Sequence, residues 1–180
     1  GFIGFFGLME WVMRSIGCIP TQKFVSDVSL IRDMEYCFKT LKTSVLMYPE
    51  AGYSFDGCTT TLPRRMGVLM KQLGVPVVTV ITQGAFHRDP LYNMLQIRDV
   101  KVSAHVKCIA TAEEVKEKSV DELDALLADA FSFDNFAWQR DNKVSIDEPF
   151  RADGLHRILY KCPNCGAENQ MEGKGIHLTC

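Results

Sequence analysis

The run VPVVTVIT at Val75–Thr82 constrains the fold of this chain more than any other stretch. Seven of its eight residues are β-branched, a composition that favours the extended backbone of a central strand. Pro76 stands at the beginning of the run, where a strand tolerates proline. The preceding Gly74 is a typical helix end, so a helix from Pro63 to Leu73 is predicted to lead into the strand.

Other segments carry the periodicities of further helices and strands. Apolar residues three and four apart predict a helix over Asp27–Leu41. Ser119 followed by Glu122 is a capping-box pattern, and it predicts a long helix through Phe131 and on towards Trp138. The other predictions are a helix over 8–16, short strands at Cys18–Pro20 and Ser44–Tyr48, a loop at Gln83–Asn93, and one strand over Ile97–Ile109. His87, Arg88 and Asp89 in that loop are predicted to be solvated, and the alternative is that they line the site. This alternation of helices and strands indicates an α/β sheet domain.

Charge and composition narrow the function classes. The 180 residues are 47% hydrophobic and 23% charged, which excludes a disordered or low-complexity chain. The net charge of −2 argues against a general nucleic-acid binder. Residues 1–111 carry 12 Lys and Arg against 8 Asp and Glu, whereas residues 112–180 carry 8 against 14. The first part is therefore the better candidate for an anionic substrate or an anionic membrane surface.

The stretch GFIGFFGLMEWVM at Gly1–Met13 is the most apolar of the chain. It is interrupted by Glu10 and is shorter than the roughly 18 to 20 apolar residues of a spanning helix. A buried core helix is one interpretation of the strip, and a helix lying in the membrane interface, where Phe and Trp are favoured, is the other.

The tail after about Arg151 holds three of the seven cysteines. Cys162 and Cys165 in CPNCG have the spacing of a zinc knuckle, and Cys180 is the candidate third ligand. A fourth cysteine would fall beyond Cys180, and His177 is a possible substitute for it. A thioredoxin-like redox pair is the competing interpretation, although no βαβ pattern surrounds the motif. The other cysteines, at 18, 37, 58 and 108, are predicted to be reduced core residues, as in a cytosolic protein.

Two further motifs suggest a substrate site. Pro49, Glu50, Gly52 and Ser54 follow the predicted strand Ser44–Tyr48, and ligands bind at the carboxyl edge of open α/β sheets. Arg64 and Arg65 lie at the start of a predicted helix, where two guanidinium groups and the helix amides can meet a phosphate, and Lys23 is a third cation. The alternative is a tight turn with Glu50 as a capping or salt-bridging residue and solvated arginines.

The order of these motifs resembles that of the glycerolipid acyltransferase family, to which the 1-acylglycerol-3-phosphate acyltransferases belong. Gly17–Lys23 is similar to the second block of that family, with Lys23 at its basic position, and Tyr48–Ser54 is similar to its third block, F-P-E-G-T-R-S. Leu62–Gly67 resembles L-P-F-K-R-G, and Val75–Thr82 resembles the fourth block. The tail resembles the zinc-ribbon extension of some bacterial members.

The chain also departs from the family pattern. Tyr53 stands where the third block has Arg, and Thr79 stands where the fourth block has Pro. None of the four histidines begins the His-x4-Asp of the first block. We therefore expect the catalytic His and Asp upstream of Gly1, no catalytic residue within this chain, and a chain that is inactive without that upstream block.

The resemblance implies a fold and an activity. The expected fold is a central mixed sheet flanked by helices over residues 1–150, followed by a partial zinc ribbon over residues 151–180. The expected activity is acyl transfer from acyl-CoA or acyl carrier protein to the hydroxyl of a lysophospholipid such as 1-acylglycerol-3-phosphate, with structural zinc and no organic cofactor. The expected substrate-binding residues are Lys23, Pro49, Glu50, Gly52, Ser54, Arg64 and Arg65.

The expected location is the cytoplasm, peripheral on the inner face of the membrane, with no nucleic-acid partner. Two alternatives stay open. One is a non-catalytic module whose zinc ribbon contacts another protein. The other is an acyltransferase for a different acceptor, such as an aminolipid, which Tyr53 in place of Arg suggests.

Overall fold

A computed structural model describes residues 9, 11–19, 28–50 and 52–180 of the chain. Residues 11–15 are helical, as the sequence predicts for 8–16, and their side chains are exposed. Lys23, Pro20 and most of the apolar strip lie outside the described residues. Among those that are described, no helix combines the length and apolar character that crossing a bilayer requires.

Two longer helical segments follow residues 11–15 and precede the first strand in the described part of the chain. Helix α1 spans Val28–Tyr36 and continues as a π-helical turn over Cys37–Leu41, so the predicted helix is confirmed with a wider last turn. Helix α2 spans Met66–Leu73 and ends at Gly74 in the left-handed conformation, with φ +60°, as the glycine predicts. It begins three residues later than Pro63.

Four later helices of the described chain follow the first strand, and three of them begin at a side-chain cap. Helix α3 is Ala85–Arg88, α4 is Ala112–Glu117, α5 is Val120–Phe131 and α6 is Asn135–Asp141. The predicted capping box of Ser119 and Glu122 is confirmed at the start of α5. The predicted extension towards Trp138 is wrong, because α5 ends at Phe131 and Asp134 accepts hydrogen bonds from two backbone amides to begin a separate helix.

The larger sheet of the described chain has two antiparallel strands. Strand β1 is Val77–Gln83 and strand β2 is Ser103–Ala110. Val77 pairs with Ala110 at one end of the ladder, and Gln83 pairs with Ser103 at the other. The predicted strand at Val75–Thr82 is thus confirmed within two residues, whereas the predicted Ile97–Ile109 strand begins only at Ser103.

The predicted central mixed sheet is not seen in the described residues. They contain helices and two small antiparallel sheets of two strands each. The predicted strand Ser44–Tyr48 carries no regular secondary structure, and the side chains of Leu46 and Tyr48 are 69% and 76% exposed. The prediction was wrong because β-propensity describes how a residue fits a half-buried ladder, and this segment has no partner strand in the described part of the chain.

The core lies where α2 and α5 pack beside the end of the sheet. Its fully packed members are Met70, Ala110, Val115 and Leu123. A Cβ on Gly67 of α2 would collide with the carbonyl oxygen of Val120 in α5, so the two helices approach as closely as they do because this position has no side chain.

The tail forms a hairpin that is hydrogen-bonded to the segment before it. Strands β3, Glu172–Lys174, and β4, His177–Thr179, pair antiparallel through the turn at Gly175. The Ala152 amide donates to the Gly175 carbonyl at 2.8 Å, and the Gly173 amide donates to His156 Nδ1 at 3.0 Å.

Two buried polar side chains, those of Asn93 and Arg98, bond the segment 150–153 to an earlier part of the chain. The side-chain amide of the fully buried Asn93 donates to the carbonyl oxygens of Phe150 and Asp153, at 2.9 and 2.7 Å. The buried guanidinium of Arg98 donates to the Tyr92 hydroxyl at 2.9 Å and to the Arg151 carbonyl at 3.2 Å.

Candidate functional site

A cavity of about 330 Å³ lies between the loop after Tyr48 and the inner side of β1. Three of the predicted site residues, Glu50, Gly52 and Ser54, lie in its wall, and Pro49 does not. The other lining residues come from the segment 48–59, from β1, from residues 85–91, and from the end of α5 and the start of α6: Tyr48, Tyr53, Cys58, Thr59, Val80, Ile81, Thr82, Ala85, Phe86, Asp89, Pro90, Leu91, Phe131, Phe133 and Asn135.

The loop from Glu50 to Thr60 is held by its own polar side chains. One carboxylate oxygen of Glu50 accepts a hydrogen bond from the Thr60 hydroxyl at 2.6 Å. The Ser54 hydroxyl donates to the Cys58 carbonyl at 2.7 Å and accepts from the Gly57 amide at 3.0 Å. Ser54 therefore closes a turn, and the Thr60 hydroxyl holds one oxygen of the Glu50 carboxylate.

Asn135 anchors this loop to the first turn of α6. Its side-chain amide donates to the Gly57 carbonyl at 2.7 Å. Gly57 has φ +83°, and a Cβ there would collide with the ring of Phe86, so the loop comes close to the aromatic wall because position 57 is glycine.

Asp89 brings a second carboxylate to the cavity. It follows α3, and its side chain is half-buried. No described residue donates a hydrogen bond to the Asp89 carboxylate or pairs with it as an ion. The cavity thus has two carboxylates in its wall, and no Lys, Arg or His is among the described residues that line it.

His87 is buried and does not lie on a solvated loop, so that prediction was wrong. Its ring Nε2 lies 2.8 Å from the Asn135 carbonyl oxygen, and the ring stacks on Trp138 with a centroid separation of 6.1 Å. Phe86 and Phe136 contact it edge-on. Burial lowers the pKa of His87, the bond to the Asn135 carbonyl opposes that change, and the nearby Arg98 adds to it.

Arg64 and Arg65 lie in the wall of a different cavity, of about 500 Å³, beside Thr60, Met66 and Asp124. Thr59 lines both cavities. One amide of the first turn of α2 is not available to a phosphate, because the Gly67 N–H donates to an Asp124 carboxylate oxygen at 2.6 Å. The two arginines thus line a different cavity from Glu50, and Lys23 lies outside the described residues.

The three cysteines of the tail converge. The sulfur atoms of Cys162, Cys165 and Cys180 all lie within 4.8 Å of one another, and those of Cys165 and Cys180 are 3.7 Å apart. Cys162 is buried, whereas Cys165 and Cys180 are exposed. The turn after Cys162 is closed by the Gly166 amide, which donates to the Cys162 carbonyl at 2.9 Å, with φ +73° at Gly166.

The local electrostatics of the three thiols suit a cation. Hydrogen bonds from the backbone amides of Cys165 and Asn164 lower the pKa of Cys162 to about 7. Hydrogen bonds to Cys165 and Cys162 raise the pKa of Cys180 to about 11. One thiol therefore loses its proton readily, and the resulting negative charge disfavours deprotonation of a second thiol. A bound metal ion offsets this repulsion between the thiolates.

The three thiols fit a soft metal ion, because Cys ligands suit zinc, copper(I) and iron–sulfur clusters. His177, the suggested fourth ligand, does not join the group of described residues that could hold an ion. His177 is the first residue of β4, and it pairs with Lys174 across the hairpin turn.

No family model, curated relative or solved structure matches this chain.

Sequence reasoning missed the half of the cavity that comes from distant segments. Asp89 was predicted to be solvated, with a place in the site as the alternative, and Asn135, Phe131 and Phe133 had no motif to mark them. The signal for Asp89 is its place in a charged cluster of a connecting segment, because binding residues are common on such segments. Asn135 has no comparable signal.

Proposed function

We propose that the protein transfers an acyl group from a thioester donor to the hydroxyl of a lysolipid at the cavity around Glu50. The observation that carries the proposal is that Tyr48, Glu50, Gly52, Tyr53 and Ser54 line a cavity whose other walls are mainly apolar and aromatic. These residues belong to the segment that resembles the third block of the glycerolipid acyltransferases. Such a lining fits a lipid substrate with few polar groups.

The proposed reaction requires no covalent acyl-enzyme intermediate. The acceptor oxygen attacks the thioester carbonyl carbon, the carbon–sulfur bond breaks, the hydroxyl proton passes to a general base, and the donor leaves as a thiol. Glu50, held by Thr60, would orient the acceptor through its other carboxylate oxygen. The general base is proposed to be the histidine of a His-x4-Asp block, and no histidine lines the cavity among the described residues.

Two further parts complete the proposal. Zinc is the proposed ion for Cys162, Cys165 and Cys180, in a structural role, because a tetrahedral thiolate set is typical of structural zinc. The protein is proposed to act at a membrane surface, where its substrates reside. In support, Trp11 and Ile16 in the first described helical segment are largely exposed.

The test is acyl transfer by the protein expressed from its complete reading frame. A radiolabelled acyl-CoA and a loaded acyl carrier protein are each offered with 1-acylglycerol-3-phosphate and with other lysolipids, and labelled diacyl product is measured. We expect Glu50→Gln to lower turnover by at least tenfold, since it keeps the contact to Thr60 but removes the charge. Glu117→Gln, on the exposed side of α4, is the matched control and should retain turnover.

Wild-type turnover in Glu50→Gln would overturn the site assignment. No transfer with any donor and acceptor would overturn the activity. The second result would favour the alternative of a non-catalytic binding module, for which the specific observation is that no described residue of the cavity wall is a histidine.

A further inference from the structure

The wall of the cavity around Glu50 has the wrong charge for a phosphate. Residues 1–111 carry a net positive charge, yet the described residues that line the cavity include two carboxylates and no basic side chain. A phosphomonoester placed beside Glu50 and Asp89 would meet two like charges in a partly enclosed space, where repulsion is stronger than in bulk water. The arginines that could offset it line the neighbouring cavity instead.

The carboxylates are free to meet a ligand. Glu50 uses one oxygen to accept from Thr60, and Asp89 receives no hydrogen bond from the described residues. Neither carboxylate is paired with a basic side chain in the described part of the chain.

The surroundings add to the negative field. Asp56 accepts a hydrogen bond from the Cys58 amide at 2.9 Å, and Asp134 begins α6. Burial raises the pKa of the Cys58 thiol, and the charges of Asp56 and Asp134 raise it further. Two further carboxylates therefore lie close enough to Cys58, a residue of the cavity wall, to raise the pKa of its thiol.

Aromatic side chains supply the second half of a cation site. The five aromatic residues of the wall are Tyr48, Tyr53, Phe86, Phe131 and Phe133. Ammonium groups bind over aromatic faces, and carboxylates near the rings strengthen that attraction. The apolar residues Val80, Ile81 and Leu91 of the same wall provide contact for an attached hydrocarbon chain.

We infer that this cavity binds an amphiphile through an ammonium group, so that the acceptor is an amine-bearing lysolipid and not a phosphomonoester. Glu50 and Asp89 hold the ammonium group between the aromatic rings, and the apolar wall holds the adjoining chain. As a statement about the acceptor, the inference rests on the proposed acyl transfer. As a statement about binding, it is independent of turnover.

The experiment is a binding titration of the purified protein by calorimetry. The probes are decyltrimethylammonium, decyl sulfate and decyl glucoside, each below its micelle concentration. Tetramethylammonium and spermidine are included to separate a lipid headgroup from a small free cation. We expect the decylammonium probe to bind at least tenfold more tightly than the sulfate, and more tightly than either cation that lacks the alkyl chain.

Variants assign the effect to the cavity. Glu50→Gln and Asp89→Asn should each weaken the cationic probe by about three- to tenfold and leave the glucoside unchanged. Asp89→Lys should reverse the preference towards decyl sulfate, a gain that a merely unfolded variant cannot show. Glu117→Gln should bind as the wild-type protein does, and probe-induced chemical-shift changes should include Ser54 and Asn135.

The outcomes separate this inference from the proposed activity. Equal or tighter binding of the sulfate, or a cationic preference that survives Glu50→Gln and Asp89→Asn together, would overturn the inference. Tighter binding of spermidine than of decyltrimethylammonium would indicate a polyamine ligand and not a lipid headgroup, and it would also overturn the inference. Acyl transfer to 1-acylglycerol-3-phosphate in preference to amine-bearing lysolipids would support the proposed activity and overturn the inferred acceptor class. Ammonium binding without any acyl transfer would support the inferred binding and overturn the proposed activity.

Discussion

The backbone amide of Gly67 donates to a carboxylate oxygen of Asp124 at 2.6 Å, so that helix α5 caps the first turn of helix α2. The residue before α2, Arg65, has φ +63° and makes no side-chain cap of its own. Asp124 therefore satisfies an amide that would otherwise be unpaired in a buried position, and its negative charge suits the positive end of the helix.

Asp124→Ala is expected to lower the free energy of unfolding by about 2 kcal/mol, because a buried amide loses its acceptor and the helix loses its cap. Asp124→Asn keeps an acceptor oxygen and should cost about half as much. Asp129→Ala, at an exposed position of the same helix, is the control and should change stability by less than about 0.5 kcal/mol. Urea unfolding measures all three, and equal stability of Asp124→Ala and Asp129→Ala would contradict the capping role.

Asn93→Ala is expected to destabilise the protein by about 2 to 3 kcal/mol. The fully buried side-chain amide of Asn93 donates to the carbonyl oxygens of Phe150 and Asp153. Phe150 would keep the bond that its carbonyl accepts from the Asp153 amide, whereas the Asp153 carbonyl would lose the donor that Asn93 supplies. Thermal unfolding measures the loss, and hydrogen exchange should show the amides of the hairpin exchanging faster.

The matched control for Asn93 is Asn142→Ala. Asn142 also donates from its side chain to a carbonyl, that of Trp138, but in an exposed position where water replaces the bond. We expect it to cost less than about 1 kcal/mol. A similar cost at both positions would mean that the burial of Asn93 contributes nothing.

Signals that act within a few residues predicted the described structure well. Gly74 as a helix end and Ser119 with Glu122 as a helix beginning are both observed, because a left-handed residue and a side-chain cap depend only on their neighbours. The segment Ser44–Tyr48 was predicted wrongly because a strand needs a partner that its own residues do not specify.

The same distinction holds for the candidate sites. The two-residue spacing between Cys162 and Cys165 predicted their proximity, and the hairpin then brings Cys180 to them. The motif at Glu50 predicted one side of the cavity, Asp89 was an open alternative, and Asn135 was not predicted, because it reaches the cavity from another element. Nothing in the local sequence around Arg64 predicts that the Gly67 amide is already taken by Asp124.

Metal removal is expected to destabilise the tail. A protein purified without chelator should hold one metal ion per chain, and Cys162→Ser should lose it, because a hydroxyl is a poor ligand for a soft ion. Chelation should lower the melting temperature by several degrees, since the ion binds only the folded site.

Elemental analysis measures the metal content per chain and identifies the ion, and calorimetry measures the melting temperature. Cys108→Ser is the matched control, because Cys108 lies on β2 outside the group of three sulfurs, and it should keep the metal. Protein that contains no metal, or metal retained in Cys162→Ser, would contradict the assignment of the site.

His87 links stability to pH through its burial. Only 2% of its surface is exposed, and removal from water lowers its pKa below the ordinary value of 6.5. Asn135 accepts from the ring through its carbonyl, and the positive charge of Arg98 further disfavours the imidazolium. As the pH falls below about 6.5, the unfolded chain therefore takes up a proton that the folded protein does not, so stability decreases.

Between pH 7.5 and pH 5.5 we expect the wild-type free energy of unfolding to fall with a slope of at most about 1.4 kcal/mol per pH unit from this group. His87→Gln, which retains a side-chain N–H for the Asn135 carbonyl, should be less stable at pH 7.5 but show a smaller slope. His105→Gln, on the exposed strand β2, should keep the wild-type slope. Denaturant unfolding at five pH values gives the slopes. If the His87→Gln slope equals that of the wild-type protein, the buried imidazole is not the group that titrates, because a lowered pKa at His87 requires the slope to diminish when the ring is removed.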